Sequence, residues 1–191
     1  MAMHEVIWHG RGGQGVVLAA QILAEAAYIQ GFRGVTSAPT FGPERRGAPL
    51  TASTRISDEP VRTFSQIASA DIAVIMDESL LEAATGAGRI KKEGLVIVNT
   101  TLTPGQIGVS GDFSVATVDA AKIAREHHLS MSGAPVVNTP LLGALSMASG
   151  LVSLESIEKG IKKKMPRGRA SSNFQAIRTA FERTLYVRSK E

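Results

Sequence analysis

The sequence predicts an α/β fold: a single Rossmann-like domain over residues 1–191, with a largely parallel sheet and helices on both faces. Three observations predict it. Short apolar runs alternate with longer helical segments along the chain, the pattern of strands joined by helical crossovers. Three of those runs, at 72–76, 95–98 and 115–118, are rich in β-branched residues without strict alternation, as in strands covered on both faces. Finally, "GRGGQG", Gly10 to Gly15, stands between an apolar run and a long helical stretch. That is the strand–turn–helix setting of the G-x-G-x-x-G dinucleotide fingerprint.

The elements follow in order. "EVIWH" (5–9) reads as the first strand and residues 15–30 as the first helix. Between Val16 and Gln30 only Gln21, Glu25 and Gln30 are strongly polar. So narrow a polar stripe predicts a helix covered on more than one side, by a second layer of this domain or by another subunit. Ala20, Leu23 and Ala27 are expected to be covered and Glu25 to stay exposed. "VTSAP" (35–39) and "TASTRI" (51–56) are strands, separated by "TFGPERRGAPL" (40–50), whose two prolines and two glycines make a loop.

"DIAVIM" (71–76), "GLVIVN" (94–99) and "SVATV" (114–118) continue the sheet, with a helix over 78–88 after the first of them. Asp119 stands where it caps a helix over 119–128. Asn138 or Thr139 caps the next, over 139–149, with Pro140 at its first position and Gly150 ending it. Ser153 caps a helix over 154–164, with Glu155 and Glu158 early and lysines late, as the helix dipole favours. A last helix is expected over 171–186.

Composition narrows the chemistry. The chain has 191 residues, 43% of them hydrophobic and 20% charged, which suits a globular protein. It has no cysteine. Disulfides, thiol catalysis, cysteine-type zinc sites and ligation of an iron–sulfur cluster by this chain are therefore excluded. The net charge is +4, and the densest basic stretch, "KGIKKKMPRGR" (159–169), lacks aromatic residues that would stack on bases. It reads as a solvated helix end or a dock for an acidic partner, with no nucleic acid. No apolar run reaches the roughly 18 residues that span a bilayer, and no leader pattern opens the sequence. The expectation is a cytoplasmic protein without a membrane partner.

The turn Gly10, Arg11, Gly12, Gly13, Gln14, Gly15 suits an anion. Glycines let the backbone approach a ligand, and the helix behind offers free N–H groups. The dinucleotide fingerprint also asks for an acidic residue about 20 residues further on. None occurs between Glu25 and Glu44, so NAD is disfavoured. Arg33 leaves NADP open, through a 2′-phosphate, and with it a free-standing NADP-binding oxidoreductase or nucleotide-sensing module. His127 and His128 are adjacent, the wrong spacing for one metal. His4 and His9 read as structural, Asp77, Glu78 and Glu82 as caps or a strand-end site. Ser146 lacks the glycine elbow of a hydrolase. No complete catalytic constellation is present.

Several motifs together carry a resemblance. "HGRGGQGV", "FGPERRGAP", "TRISDEP" (54–60), "VIVN" (96–99) and "VNTPLLGAL…GLVSLESIE" (137–158) resemble the gamma subunits of pyruvate:ferredoxin oxidoreductases, within the wider family of 2-oxoacid:acceptor oxidoreductases. The resemblance implies a subunit, inactive alone, of a complex that oxidatively decarboxylates a 2-oxoacid with coenzyme A. The products are acyl-CoA, CO2 and reduced ferredoxin. It implies that other chains hold thiamine diphosphate, Mg2+ and the iron–sulfur clusters, with no cofactor bound tightly here. Ferredoxin is then met only indirectly. Pyruvate is the expected substrate, with 2-oxoisovalerate open. For the glycine turn and for Arg45 and Arg46, the resemblance leaves two roles, facing coenzyme A or closing a subunit contact, beside a tight turn kept only for packing and arginines that are solvated loop charges. The isolated chain is expected to self-associate or bind partners through the first helix or the 40–50 loop.

Overall fold

The structure, a computed structural model, describes residues 3–39, 46–63, 65–109 and 111–189. The strands are β1 (Met3–Arg11), β2 (Gly34–Pro39), β3 (Pro49–Ser57), β4 (Ala70–Ile75), β5 (Ile90–Asn99), β6 (Ser114–Val118), β7 (Ser130–Met131), β8 (Ala134–Pro135) and β9 (Leu185–Val187). The helices are α1 (Val16–Gln30), α2 (Leu81–Thr85), α3 (Ala120–Glu126), α4 (Asn138–Ser149), α5 (Leu154–Lys164) and α6 (Arg167–Arg183). Seven strands form one sheet in the order β2-β3-β1-β4-β5-β6-β9, and β7 and β8 make a separate hairpin.

The centre of the sheet is parallel, as expected: β1 with β4, β4 with β5, and β5 with β6. Antiparallel strands flank it. β3 lies between β1 and β2 and opposes both, and β9 opposes β6 at the other end. On β4 and β5, successive side chains enter different cores. Ile72, Val74, Leu95 and Ile97 join the large one; Ile75, Val96 and Val98 join the small one. Burial on both faces is why these strands are apolar without alternation. The helix layers are unequal. α1, α3, α4, α5 and α6 contribute to the large core, whereas the second face carries α2 and the segment around Ile107 and Phe113.

α1 is covered within the chain itself. Ala20, Leu23 and Ala27 are fully buried, as expected. Glu25 differs from expectation. α5 lies over the polar stripe, and Lys163 and Lys164 reach the Glu25 carboxylate at 2.8 and 3.5 Å, leaving its side chain 19% exposed. The hydrogen bond from Lys163, with the charge of both lysines, holds that carboxyl below its usual range. α4 is buried along most of its length, from Asn138 to Ser146.

Other differences have local causes. The helix expected over 78–88 is a 3-10 turn, Glu78–Leu80, followed by the single turn of α2, because Gly86 and Gly88 end it. The last helix begins at Arg167, behind Pro166, and stops at Arg183. Leu185, Tyr186 and Val187 then form β9, as β-branched and aromatic residues prefer. In α4, Val137 is the cap residue, so Pro140 stands third rather than first. Asp119 and Ser153 cap as expected, accepting from the Lys122 and Ser156 amides, and Gly150 ends α4 at φ 63°.

Gly143 decides how closely α4 and α6 approach. A β-carbon there would run into the Ile177 backbone carbonyl of α6. Gly143→Ala is expected to lower unfolding free energy by about 1–3 kcal/mol, the usual cost of overpacking. Gly168→Ala, in open space on α6, is expected to leave stability unchanged or raise it by up to about 1 kcal/mol. Chemical denaturation of the two variants side by side checks both.

Candidate functional site

The site lies where the parallel strands end. β1 leads into α1, and the chain then crosses to β2 and β3 on one side before returning to β4 on the other. Ligands of doubly wound folds sit at such a switch point. Here it holds a cavity of about 890 Å3, with Gly13, Gln14, Gly15, Asn99 and Asn138 in its lining. Lys164 and Arg169 add positive charge to the wall; Asp77 and Glu78 oppose them. The starts of α1, α4 and α6 all border the cavity, and none has an acidic residue in its first turn. Their dipoles add to a positive field on that side.

The glycine turn is built by its own side chains and by a distant loop. Gln14 closes it: its side-chain oxygen accepts from the Arg11 amide at 2.7 Å, and its amide donates to the Arg11 carbonyl at 3.0 Å. Gly15 caps α1 at φ 75° with no room for a β-carbon, since the Asn138 side chain stands against it. The Asn138 amide donates to the Gly15 carbonyl at 3.1 Å. The second motif arrives through β3. Gly12 donates to the Ala48 carbonyl at 2.9 Å and Gly47 donates to the Gly12 carbonyl at 3.1 Å. The ladder of β1 and β3, which pairs Arg11 with Pro49, is thereby prolonged. "GRGGQG" and the described end of "GPERRGAP" therefore touch, backbone to backbone.

The arginines divide. Arg11 is engaged at all three guanidinium nitrogens: its Nε meets the Asp77 carboxylate at 2.9 Å, Nη1 the Gly47 carbonyl at 3.0 Å, and Nη2 the Ser79 hydroxyl at 2.7 Å. Burial alone would raise the Asp77 carboxyl. Hydrogen bonds from the Ser79 side chain and amide and from Arg11, with the guanidinium charge, bring it below the usual range instead. Arg46 is exposed beside Gly47. Arg45 lies outside the described residues, as do Phe41 and Glu44. Arg33 is at the far end of α1 from the glycine turn, roughly 22 Å away for 15 helical residues. It cannot meet a 2′-phosphate held at that turn, so the feature that left NADP open is lost.

Two residues that sequence reasoning passed over organise the cavity. Asn99 donates to the Met76 carbonyl at 3.0 Å and accepts from the Ala121 amide at 3.3 Å, tying the ends of β4 and β5 to α3. Asn138 was read only as a cap, yet it joins the starts of α1 and α4. A polar residue closing an apolar strand was the available signal for Asn99. Among the described residues, no three His, Asp or Glu side chains gather as metal ligands, and no helix is long and apolar enough to cross a membrane.

His9, on the β1 face that carries Arg11, is half-buried. Burial, helped by the charge of Arg89, pushes its imidazole down from 6.5 to about 4. Between those values the unfolded chain binds a proton that the folded chain does not, so stability falls as pH drops through the window. The loss is expected to reach up to about 3 kcal/mol by pH 4. His9→Gln should lack that part of the pH dependence. Denaturation curves of both proteins at pH 7, 5.5 and 4 measure the difference.

The comparisons agree along the chain. A family model described as Pyruvate ferredoxin/flavodoxin oxidoreductase matches residues 5–183. The Pyruvate/ketoisovalerate oxidoreductases common subunit gamma of Thermococcus litoralis is 44% identical over 186 residues, covering 96% of this chain and 98% of that one. Pyruvate synthase subunit PorC of Methanothermobacter marburgensis is 42% identical over 181 residues, covering 95% and 97%. The crystal structure of pyruvate oxidoreductase subunit PORC from Thermotoga maritima matches with a TM-score of 0.83 at 34% identity, covering 97% and 99%. A seven-stranded sheet with a glycine turn at its switch point, a second loop sealed onto that turn, and relatives matched from end to end lead to one assignment: the chain belongs to the pyruvate ferredoxin/flavodoxin oxidoreductase family, as one of its gamma subunits.

Proposed function

We propose that the chain works as the gamma subunit of a pyruvate-type 2-oxoacid:ferredoxin oxidoreductase in the cytoplasm, and that its glycine turn and Arg46 segment face coenzyme A. The match over residues 5–183 carries the subunit reading. The chain has no thiolate for a cluster, so the iron–sulfur centres belong to partner chains; thiamine diphosphate and Mg2+ are assigned there by the family likeness, and together these groups supply decarboxylation and electron transfer. Ferredoxin is reduced there, and this chain meets it only through the complex. Substrate choice belongs to those chains too. The relative named as common to pyruvate and ketoisovalerate oxidoreductases supports that division.

The cavity supports the coenzyme reading. It borders the glycine turn, and Arg169 and three helix starts give it a positive side for a pyrophosphate or 3′-phosphate, with Lys164 shared with Glu25. Arg46, outside the cavity lining but exposed on the segment sealed to that turn, offers a paired N–H fork to phosphate oxygens. The competing role for Arg45 and Arg46 is a contact with a partner subunit.

Co-expression with the partner chains tests both levels. The tagged subunit is expected to retain chains rich in Cys-x-x-Cys motifs, and the complex to reduce ferredoxin with pyruvate and coenzyme A, while the isolated chain is inactive. A chain that purifies alone and binds NADP tightly would overturn the subunit reading. For Arg46→Ala in the complex, the KM for coenzyme A is expected to rise about tenfold, one charge-assisted contact, with assembly intact. Lost assembly assigns Arg46 to the subunit contact instead, and unchanged kinetics with normal assembly remove both roles.

A further inference from the structure

We infer that Arg11, the one charged residue of the glycine turn, is a positioning residue: it acts as a strut that holds the Arg46–Ala48 segment against the turn. The inference rests on the reading above only for what that segment does, and on geometry alone for what holds it.

The guanidinium is spread over three partners in two segments of the chain. Nε binds the Asp77 carboxylate at the end of β4, Nη2 the Ser79 hydroxyl in the 3-10 turn, and Nη1 the Gly47 carbonyl in the loop before β3. The partners are themselves fixed. Asp77 accepts from the Ser79 amide at 3.1 Å and from its hydroxyl, so the carboxylate cannot swing away without breaking the cap of that turn. Gly47 is gripped at both ends of one residue: its amide donates to Gly12, and its carbonyl accepts from Arg11. Gly47 sits at φ 83°, a backbone conformation that a loop needs a reason to keep.

A free anion receptor would look different. Its guanidinium would point into the cavity with its charge unmatched. Arg11 is instead paired with Asp77 at 2.9 Å, with its side chain 34% exposed. Its N–H groups serve three acceptors at fixed angles, which a lysine ammonium on a flexible stem does not reproduce. The strut thus links the loops after β1 and β4 to the loop before β3. It sets where the exposed Arg46 stands relative to the glycine turn.

Hydrogen exchange in the assembled complex tests this, with Arg11→Gln, Arg11→Lys, Asp77→Asn and Ser79→Ala compared with the parent. Amides of 46–48 and 50 and of the glycine turn are expected to exchange about tenfold faster in Arg11→Gln and Arg11→Lys, the loss of a few local hydrogen bonds. Trypsin should cut sooner after Arg46. Amides of β5 are expected to stay protected, which separates local release from unfolding. Asp77→Asn should give part of the same effect, and the Arg11→Gln/Asp77→Asn pair no more than Arg11→Gln alone, because both act through one strut. Ser79→Ala, the mildest change, keeps the test alive should the others fold poorly. Unchanged exchange at 46–48 and 50 in Arg11→Gln overturns the proposal. So does an Arg11→Lys protein with parental exchange and a raised KM for coenzyme A, which would make Arg11 a direct ligand. Faster exchange with unchanged assembly and unchanged KM leaves the strut standing and removes the coenzyme role of the segment.

Discussion

The cavity edge of the molecule depends on one contact, the Asn138 amide donating to the carbonyl of Gly15. It joins residues 123 positions apart and fixes the start of α1 against the start of α4. Only glycine serves at position 15, because the backbone is left-handed there and the asparagine side chain occupies the space of a β-carbon. α4 cannot shift to relieve the contact. It is buried from Asn138 to Ser146 and held against α6 by the bare backbone of Gly143. The glycine turn is therefore shaped from behind, by packing, before any ligand or partner meets it from the front.

Charge follows a similar economy of position. Most of the basic stretch that ends α5 is matched within the chain: Lys159 with Glu155, Lys162 with Glu158, and Lys163 and Lys164 with Glu25. The first two pairs are exposed i,i+4 pairs, screened by solvent and of little weight for stability. Their effect is to leave little free charge for a polyanion. A second network lies at the other end of β1. Glu5 bridges Arg55 at 3.0 Å and Lys91 at 3.1 Å, Lys91 also meets Asp71, and Arg55 donates to the Ser65 carbonyl. With Arg55 6% exposed at its side chain, removing Glu5 would strand a buried charge. The net charge of +4 thus says less about binding than the few cations left beside the cavity.

How much of this was legible in the sequence depended on how local the cause was. The parallel core was readable because runs such as "DIAVIM" and "GLVIVN" record burial on both faces. Caps at Asp119 and Ser153 were readable because the capping side chain and the amide it serves are three residues apart. β9 was not: Leu185, Tyr186 and Val187 continue a helical-looking tail, and only the partner strand β6 shows what they pair with. The exposure assigned to Glu25 failed for the same reason, since its cover comes from α5, 138 residues on. At the site, sequence indicated that two motifs mattered and that both carried arginines. It did not indicate that one arginine was committed to an internal carboxylate, because the order of segments around the switch point sets that pairing.

That order also explains why a glycine fingerprint here accompanies no nicotinamide residue. In a dinucleotide domain the strand after the first helix runs parallel to the first strand, and its end presents an acidic side chain to the ribose near the glycine turn. In this chain β3 stands in the place next to β1 and runs the opposite way. Its beginning, Pro49, therefore pairs with Arg11 at the glycine turn, and the backbone of Gly47 and Ala48 continues that pairing onto Gly12. The neighbouring position is filled by main chain rather than by a carboxylate. β2, which follows α1, is one strand further out. The same inversion that removes the ribose contact brings the described end of "GPERRGAP", from Arg46 on, to the turn, and the two features of the sequence are one consequence of a single antiparallel strand.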